Sequence, residues 1–167
     1  EIHLDLGEGS CPNAGRPGHV CGVNVDGCAR YMELWNLVFM QSNRGKDGKL
    51  TDLPAKHIDT GMGFERIVRV IQGVQSNYDT DLFAPIIRRV ESLSGKKYTP
   101  DAAGTPFRVI ADHIRALSFS ITDGAIPSND GRGYVIRRLL RRAYRFGREL
   151  GFHEPFLCNL VPVVCEV

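Results

Sequence analysis

Long hydrophobic runs are missing from this 167-residue chain. None reaches the roughly 18 consecutive apolar residues that spanning a bilayer takes, and the opening EIHLDLGEGS lacks the basic-then-apolar layout of a signal peptide. A soluble, cytosolic protein with no membrane partner is expected. Paired C-x-x-C motifs are missing too. The five cysteines are an odd number in a chain long enough to bury a core, which argues for reduced thiols over a disulfide framework. Cys11, His19, Cys21 and Cys28 do cluster in a Gly/Pro-rich stretch and could in principle bind zinc, but their spacing is not that of the usual site. They are read as incidental residues of a loop, and no metal is expected there. Also absent is any Ser-His-Asp or Cys-His set, so covalent nucleophilic catalysis has no candidate.

Acidic residues are scarce in one place. The formal net charge is only +2, yet Arg132, Arg137, Arg138, Arg141, Arg142, Arg145 and Arg148 follow one another with no Asp or Glu before Glu149. A local basic surface says more here than the total.

Along the chain, EIHLDL alternates like a strand and Gly7 to Gly27 reads as a glycine-rich loop. The nearly continuous apolarity of ARYMELWNLVFMQ predicts a central strand covered on both faces. NRGKDGK supplies a turn, and KLTDLP and a stretch ending at Asp59 predict two short strands of a mostly antiparallel sheet. From Gly61 the period changes. Phe64, Ile67, Val68 and Ile71 repeat at helical spacing, with Gly73 placed to stop the helix. Asp79 or Thr80 is placed to cap a second helix through Ile86, Ile87 and Val90. The polar segment 94–105 reads as a linker between domains 1–93 and 106–167, and Ile110, Ile114, Leu117 and Ile121 mark one apolar helix face beyond it. Strands first and helices later predict an α+β fold. Both ends read as cut, so a fragment of a longer protein is expected.

Three regions carry candidate chemistry. Glu33 and Asn36 sit inside the apolar strand on opposite faces, where each either satisfies neighbouring groups or, for Asn36 beside Leu34 and Val38, lines a ligand pocket. In IDTGMGFER, Gly61 and Gly63 let a ligand approach the backbone, the following helix offers N–H groups to phosphate, and Arg66 can add a bidentate charge. Such turns also occur with no ligand at all. The arginine segment, projected as a helix, sets Val135, Ile136, Leu139, Leu140, Ala143, Phe146 and Leu150 on one side and six arginines on the other. That favours nucleic acid, with internal salt bridging or an anionic membrane surface as alternatives. Asn129, in PSNDGRGY, either helps to cap that helix or presents its amide to a base edge.

Together these strings resemble the catalytic region of the alanyl-tRNA synthetases, class II aminoacyl-tRNA synthetases. EIHLDLG, ELWNLVFMQSNR, IDTGMGFERIVRVIQG, SNYDTDLF, RVIADHIRALSFSITDG and PSNDGRGYVIRRLLRRAYRFG run in family order over nearly the whole chain. The resemblance implies part of a class II antiparallel sheet with helices, ending in the third class II motif, then a linker and a helical lobe that reads the tRNA(Ala) acceptor stem. It implies alanine activation by ATP-Mg²⁺ and transfer of the alanyl group to the tRNA 3′ end, without a side-chain nucleophile. Asp59 would pair with the alanine ammonium, Asn36, Val38 and Gly61 would line the amino acid, Gly61 and Gly63 the adenylate, and Arg66 would bind ATP phosphate. Asn129 would touch the acceptor stem, on a platform built from Arg132, Arg137, Arg138, Arg141, Arg142 and Arg145.

The first and second class II motifs would precede Glu1, and a zinc-bearing editing domain would follow Val167. The isolated chain is therefore expected to hold half an active site and to form no appreciable alanyl-adenylate. Two rivals are a non-catalytic RNA-binding module and a metal-dependent protein built on the Cys/His loop. Oligomeric state is left open.

Overall fold

Strand formation is strongest where aromatic and β-branched residues concentrate, from Tyr31 onward. The computed structural model describes residues Glu1–Val167 and divides them into two compact units, Glu1–Ile71 and Gln72–Val167. No helix is long and apolar enough to cross a membrane.

In the first unit, β1 (Ile2–Asp5), β2 (Tyr31–Arg44) and β3 (Leu50–Met62) form an antiparallel sheet in the order β1-β2-β3, followed by helix α1 (Phe64–Gln72). The two short strands expected after the turn are one 13-residue strand. Pro54, the last residue of KLTDLP, falls where the β2–β3 register shifts, between the pairs Met40–His57 and Ser42–Asp52. On an outer strand at an irregularity, a missing N–H costs no ladder bond. The hairpin closes at Gly45–Lys49, where Gly48 has φ +80° and the Gly45 N–H donates to Lys49 O at 2.9 Å. The helix starts at Phe64, the first residue of its apolar period, and stops before Gly73 at φ +65°. β3 runs through Gly61 and Met62, Gly63 donates to Leu34 O, and Gly63 O accepts the first helical bond from Ile67.

Cover on both faces of β2 is not seen. Tyr31–Leu37 are half-buried, Val38–Arg44 exposed, and Cys11 is the one buried residue of this unit. Glu33 and Asn36 are thus partly solvated rather than sealed.

The second unit holds α2 (Ala84–Ser94), α3 (Thr105–Thr122), α4 (Gly131–Glu149) and α5 (Val161–Glu166). Phe83, Ile86, Ile87 and Val90 pack with Phe107, Ile110, Ala111, Ile114, Ala143 and Leu160 in one core. The α3 face ends at Leu117; Ile121, expected to extend it, is 38% exposed. Thr80 does not cap α2 with its side chain. That helix begins at Ala84, with Pro85 in its first turn, and ends on Gly95 at φ +71°.

Segment 94–105, polar enough to suggest a linker, packs within this unit, and the units divide at Ile71/Gln72. Tyr98 meets the Phe107 ring edge-on, its N–H donates to the Glu91 carboxylate at 2.8 Å, and Arg108 donates to the carbonyls of Pro100 and Asp101. A polar loop pinned by its own arginine looks like a linker in composition only. Along α4, Gly147 admits the Phe156 ring, which stacks on Phe152 at 3.9 Å. A Cβ on Gly147 would lie 2.3 Å from that ring.

Candidate functional site

The β2–β3 register decides which side chains share a face. Asn36 pairs with Gly61 and Val38 with Asp59. Cross-strand partners point the same way and side chains repeat every second residue, so Asn36, Val38, Asp59 and Gly61 occupy one face of the sheet. All but the half-buried Asn36 are exposed. Asp59 stands inside β3, not at its end as the sequence suggested, and its carboxylate has no hydrogen bond or ion pair in the chain. The Asn36 amide donates to Glu1 Oε1 at 3.3 Å, and Glu1 Oε2 accepts from Asn24 at 3.4 Å.

Arg66 stands in the first turn of α1 and folds back over Gly63, where a Cβ would be 3.1 Å from Arg66 Cδ. Its Nη1 donates to Glu33 O at 2.7 Å and lies 3.7 Å from the Glu33 carboxylate. Sequence reading flagged Glu33 without its partner, because nothing in one dimension links residues 33 and 66.

In the second unit, α4 buries Gly133, Ile136, Ala143 and Gly147, a narrower stripe than the apolar set predicted; Val135 is 43% exposed. Arg132, Arg137, Arg138, Arg141, Arg142, Arg145 and Arg148 are all exposed, and none forms an ion pair with an Asp or Glu of the chain. Salt bridging to the acids of this chain does not account for them. Asn129 does not cap the helix; its carbonyl oxygen accepts from Arg137 Nη1, which leaves the amide NH₂ to donate elsewhere. Asn129, Tyr134, Arg137, Arg138, Arg141, Arg142 and Arg145 line a groove of about 500 Å³. Arg132 is not among its lining residues, and Tyr134 was not anticipated.

Against the reading of incidental cysteines, Cys11, His19, Cys21 and Cys28 bring their ligand atoms within 4.8 Å of one another. His19 Nε2 lies 3.2 Å from Cys11 Sγ and 3.6 Å from Cys21 Sγ. Desolvation and the neighbouring thiols Cys11 and Cys28 push Cys21 up to about 11, while the Arg30 backbone N–H holds Cys28 below the usual thiol value. The undervalued signal was the count, three cysteines and one histidine in one loop, set aside because their spacing is unusual.

The same loop ends on a fork. Arg30 donates Nε and Nη2 to the two oxygens of Asp5, each at 2.7 Å, tying the end of β1 to the start of β2. That pair, aided by the Gly7 N–H, lowers the Asp5 carboxyl from 3.8 to about 2. A depressed carboxyl pKa contributes stability that is present above its unfolded value and lost as pH falls through the folded one. The tether should therefore persist to about pH 4 and release between about 4 and 2. Carboxyl-carbon NMR should give an Asp5 midpoint near 2 that returns toward 4 in Arg30→Ala. An unshifted midpoint in the unmodified protein would refute the tether.

The whole chain, residues 1–167, matches the model of the family described as tRNA synthetases class II (A). The alanine–tRNA ligase of Bacillus subtilis is 53% identical over 168 residues, covering 100% of this chain and 19% of that relative. The alanine–tRNA ligase of Bacillus pumilus is 58% identical over 168 residues with the same coverage, and that of Staphylococcus epidermidis 58% identical over 139 residues, 83% of this chain and 16% of its own. The chain spans about a fifth of the length of the curated relatives it matches. With its antiparallel sheet and following helices, the chain belongs to the class II (A) tRNA synthetases.

Proposed function

We propose that this chain is part of an alanine–tRNA ligase acting in the cytoplasm, with residues 1–93 serving aminoacylation and the helices from residue 106 serving recognition of the tRNA(Ala) acceptor stem. The observation that carries the reading is the shared face of Asn36, Val38, Asp59 and Gly61, an ammonium partner set beside an amide and a small apolar wall. Residues 36–38 and 59–61 have no reason in composition to meet. Antiparallel pairing brings them together.

In this reading Asp59 holds the alanine ammonium, Asn36 offers its amide to the amino acid and Val38 bounds its methyl group. Gly61 and Gly63 leave room for the adenylate. Only Nη1 of Arg66 is engaged by Glu33, so its other donors are available to a phosphate of ATP, the substrate carried as its Mg²⁺ complex. A carboxylate oxygen of alanine attacks the α-phosphorus, the bond to the bridging oxygen breaks, and pyrophosphate leaves with the electron pair. The terminal ribose hydroxyl of tRNA then attacks the alanyl carbonyl, and AMP leaves. Both steps need positioning and charge stabilisation more than a protein nucleophile. On α4, arginine forks suit the phosphates of an RNA duplex, whose deep major groove side chains enter poorly. Asn129 supplies an oriented amide at the end of that surface.

The test is exchange chemistry. Protein carrying its native flanking sequence should incorporate pyrophosphate into ATP only when alanine is present, and should charge tRNA with alanine. Tight tRNA binding without alanine-dependent exchange would replace this reading with the non-catalytic RNA-binding module.

A further inference from the structure

We propose that Cys11, His19, Cys21 and Cys28 form a structural zinc site with three thiolates and one imidazole. A tetrahedral zinc with bonds of about 2.3 Å to sulfur and 2.0 Å to nitrogen sets neighbouring S···N atoms about 3.5 Å apart and S···S atoms about 3.8 Å apart. The two sulfur contacts of His19 Nε2, 3.2 and 3.6 Å, bracket the first of these. No ligand pair exceeds 4.8 Å, so closing the cage takes movements of about 1 Å. All three cysteines are free thiols, Cys11 is buried and the other three ligands are half-buried. Thiolate and imidazole are soft and borderline donors, which selects zinc over magnesium or calcium. Four protein ligands leave no open position, so the ion would hold structure and perform no chemistry.

The loop has a need for such a centre. Between the short helical turn at Glu8–Ser10 and the start of β2 at Tyr31 it has no helix or strand. Its backbone bonds are nearly all local: Ala14 to Cys11, Arg16 to Asn13, His19 to Arg16, Cys28 to Val25. Gly15, Gly18 and Gly27 adopt positive φ, and Asn24 is the one non-glycine residue that does so. Across the loop, Asn13 Nδ2 donates to Gly27 O. A long irregular loop with so few cross-links is ordered most directly by a central ion, whose binding free energy becomes folding free energy. The unusual spacing follows from the turns, each of which delivers one ligand to a common centre.

The site also reaches the sheet. Asn24, between Cys21 and Cys28, donates to Glu1, which in turn accepts from Asn36. If Asn36 contacts alanine, a step that rests on the proposed function, losing the ion should loosen the amino-acid face.

The experiment compares the protein, purified with its native flanking sequence and without chelator, with Cys21→Ser/Cys28→Ser, Cys28→Ser and Cys28→His. Metal is counted by plasma mass spectrometry. The unmodified protein should carry one zinc per chain more than the double variant, whatever zinc lies elsewhere, and equal content would overturn the site. Should the double variant not fold, the single variants decide: Cys28→His, which keeps four ligands, should retain the zinc that Cys28→Ser loses. Identical content in both would count against the proposal. In Cys28→Ser the alanine KM should rise by roughly 2- to 10-fold with that for ATP unchanged, the effect of weakening one long, exposed hydrogen bond. Zinc lost with the alanine KM unmoved would overturn the link through Asn24 and Glu1 and leave the metal site standing.

Discussion

Replacing Arg141 and Arg145 with alanine is expected to weaken acceptor-stem binding by roughly 10²-fold at low salt, taking each lost charge-assisted hydrogen bond as about 1.5 kcal/mol or more. Both side chains line the groove beside Asn129 and neither is paired within the chain, so their loss removes contacts to the partner without exposing a buried charge. Salt dependence is the sharper readout. With about six phosphate contacts, affinity should fall by roughly 10³ between 50 and 200 mM salt, and with about four by roughly 10². Arg88→Ala, an exposed arginine on α2, serves as the control and should leave the slope alone. A double variant with the same salt slope as the unmodified protein would remove α4 from the RNA interface.

The other large effect is at Asp59. In protein with its native flanking sequence, Asp59→Ala should lower kcat/KM for alanine-dependent exchange by roughly 10²-fold or more, the range for removing one member of a close charge pair. Exposed and without a partner inside the chain, Asp59 contributes little to folding, and its replacement should change stability by no more than about 0.5 kcal/mol. Activity lost at an unchanged melting temperature therefore reports on the substrate. The KM for ATP should move little, whereas Arg66→Ala should act chiefly on ATP. Full exchange activity in Asp59→Ala would end its assignment to the ammonium.

How much of this was legible before the structure depended on the range of the interaction. Helices α1, α3 and α4 were visible because a 3.6-residue period is local, and Gly73, at φ +65°, follows α1 where a left-handed residue is needed. The two short strands expected after the turn are one because the irregularity near Pro54 is accommodated between β2 and β3, and one strand's sequence does not record its neighbour. The segment 94–105 misled for a related reason: its polar groups are bonded by Glu91 and Arg108 across turns that composition does not register. At the candidate site, Asp59 and Asn36 were each named, but their common face follows only from the hairpin register. The Cys/His cluster was visible as four residues of one loop but not as a common centre. Its ligands are joined by turns of unequal length, so proximity in space leaves no period in sequence.

The arginine face of α4 has one more consequence. From Arg137 to Arg148 six positive charges lie along about 16 Å of helix axis, about one every 3 Å, close to the line density of one strand of a nucleic-acid duplex with the sign reversed. A helix so charged gathers its own cloud of anions from the buffer, and an RNA bound there as proposed would have to displace that cloud as well as shed its own cations. The kind of anion should then matter as much as its concentration: a weakly held one such as glutamate is surrendered more readily than chloride, and RNA binding is expected to be tighter in it.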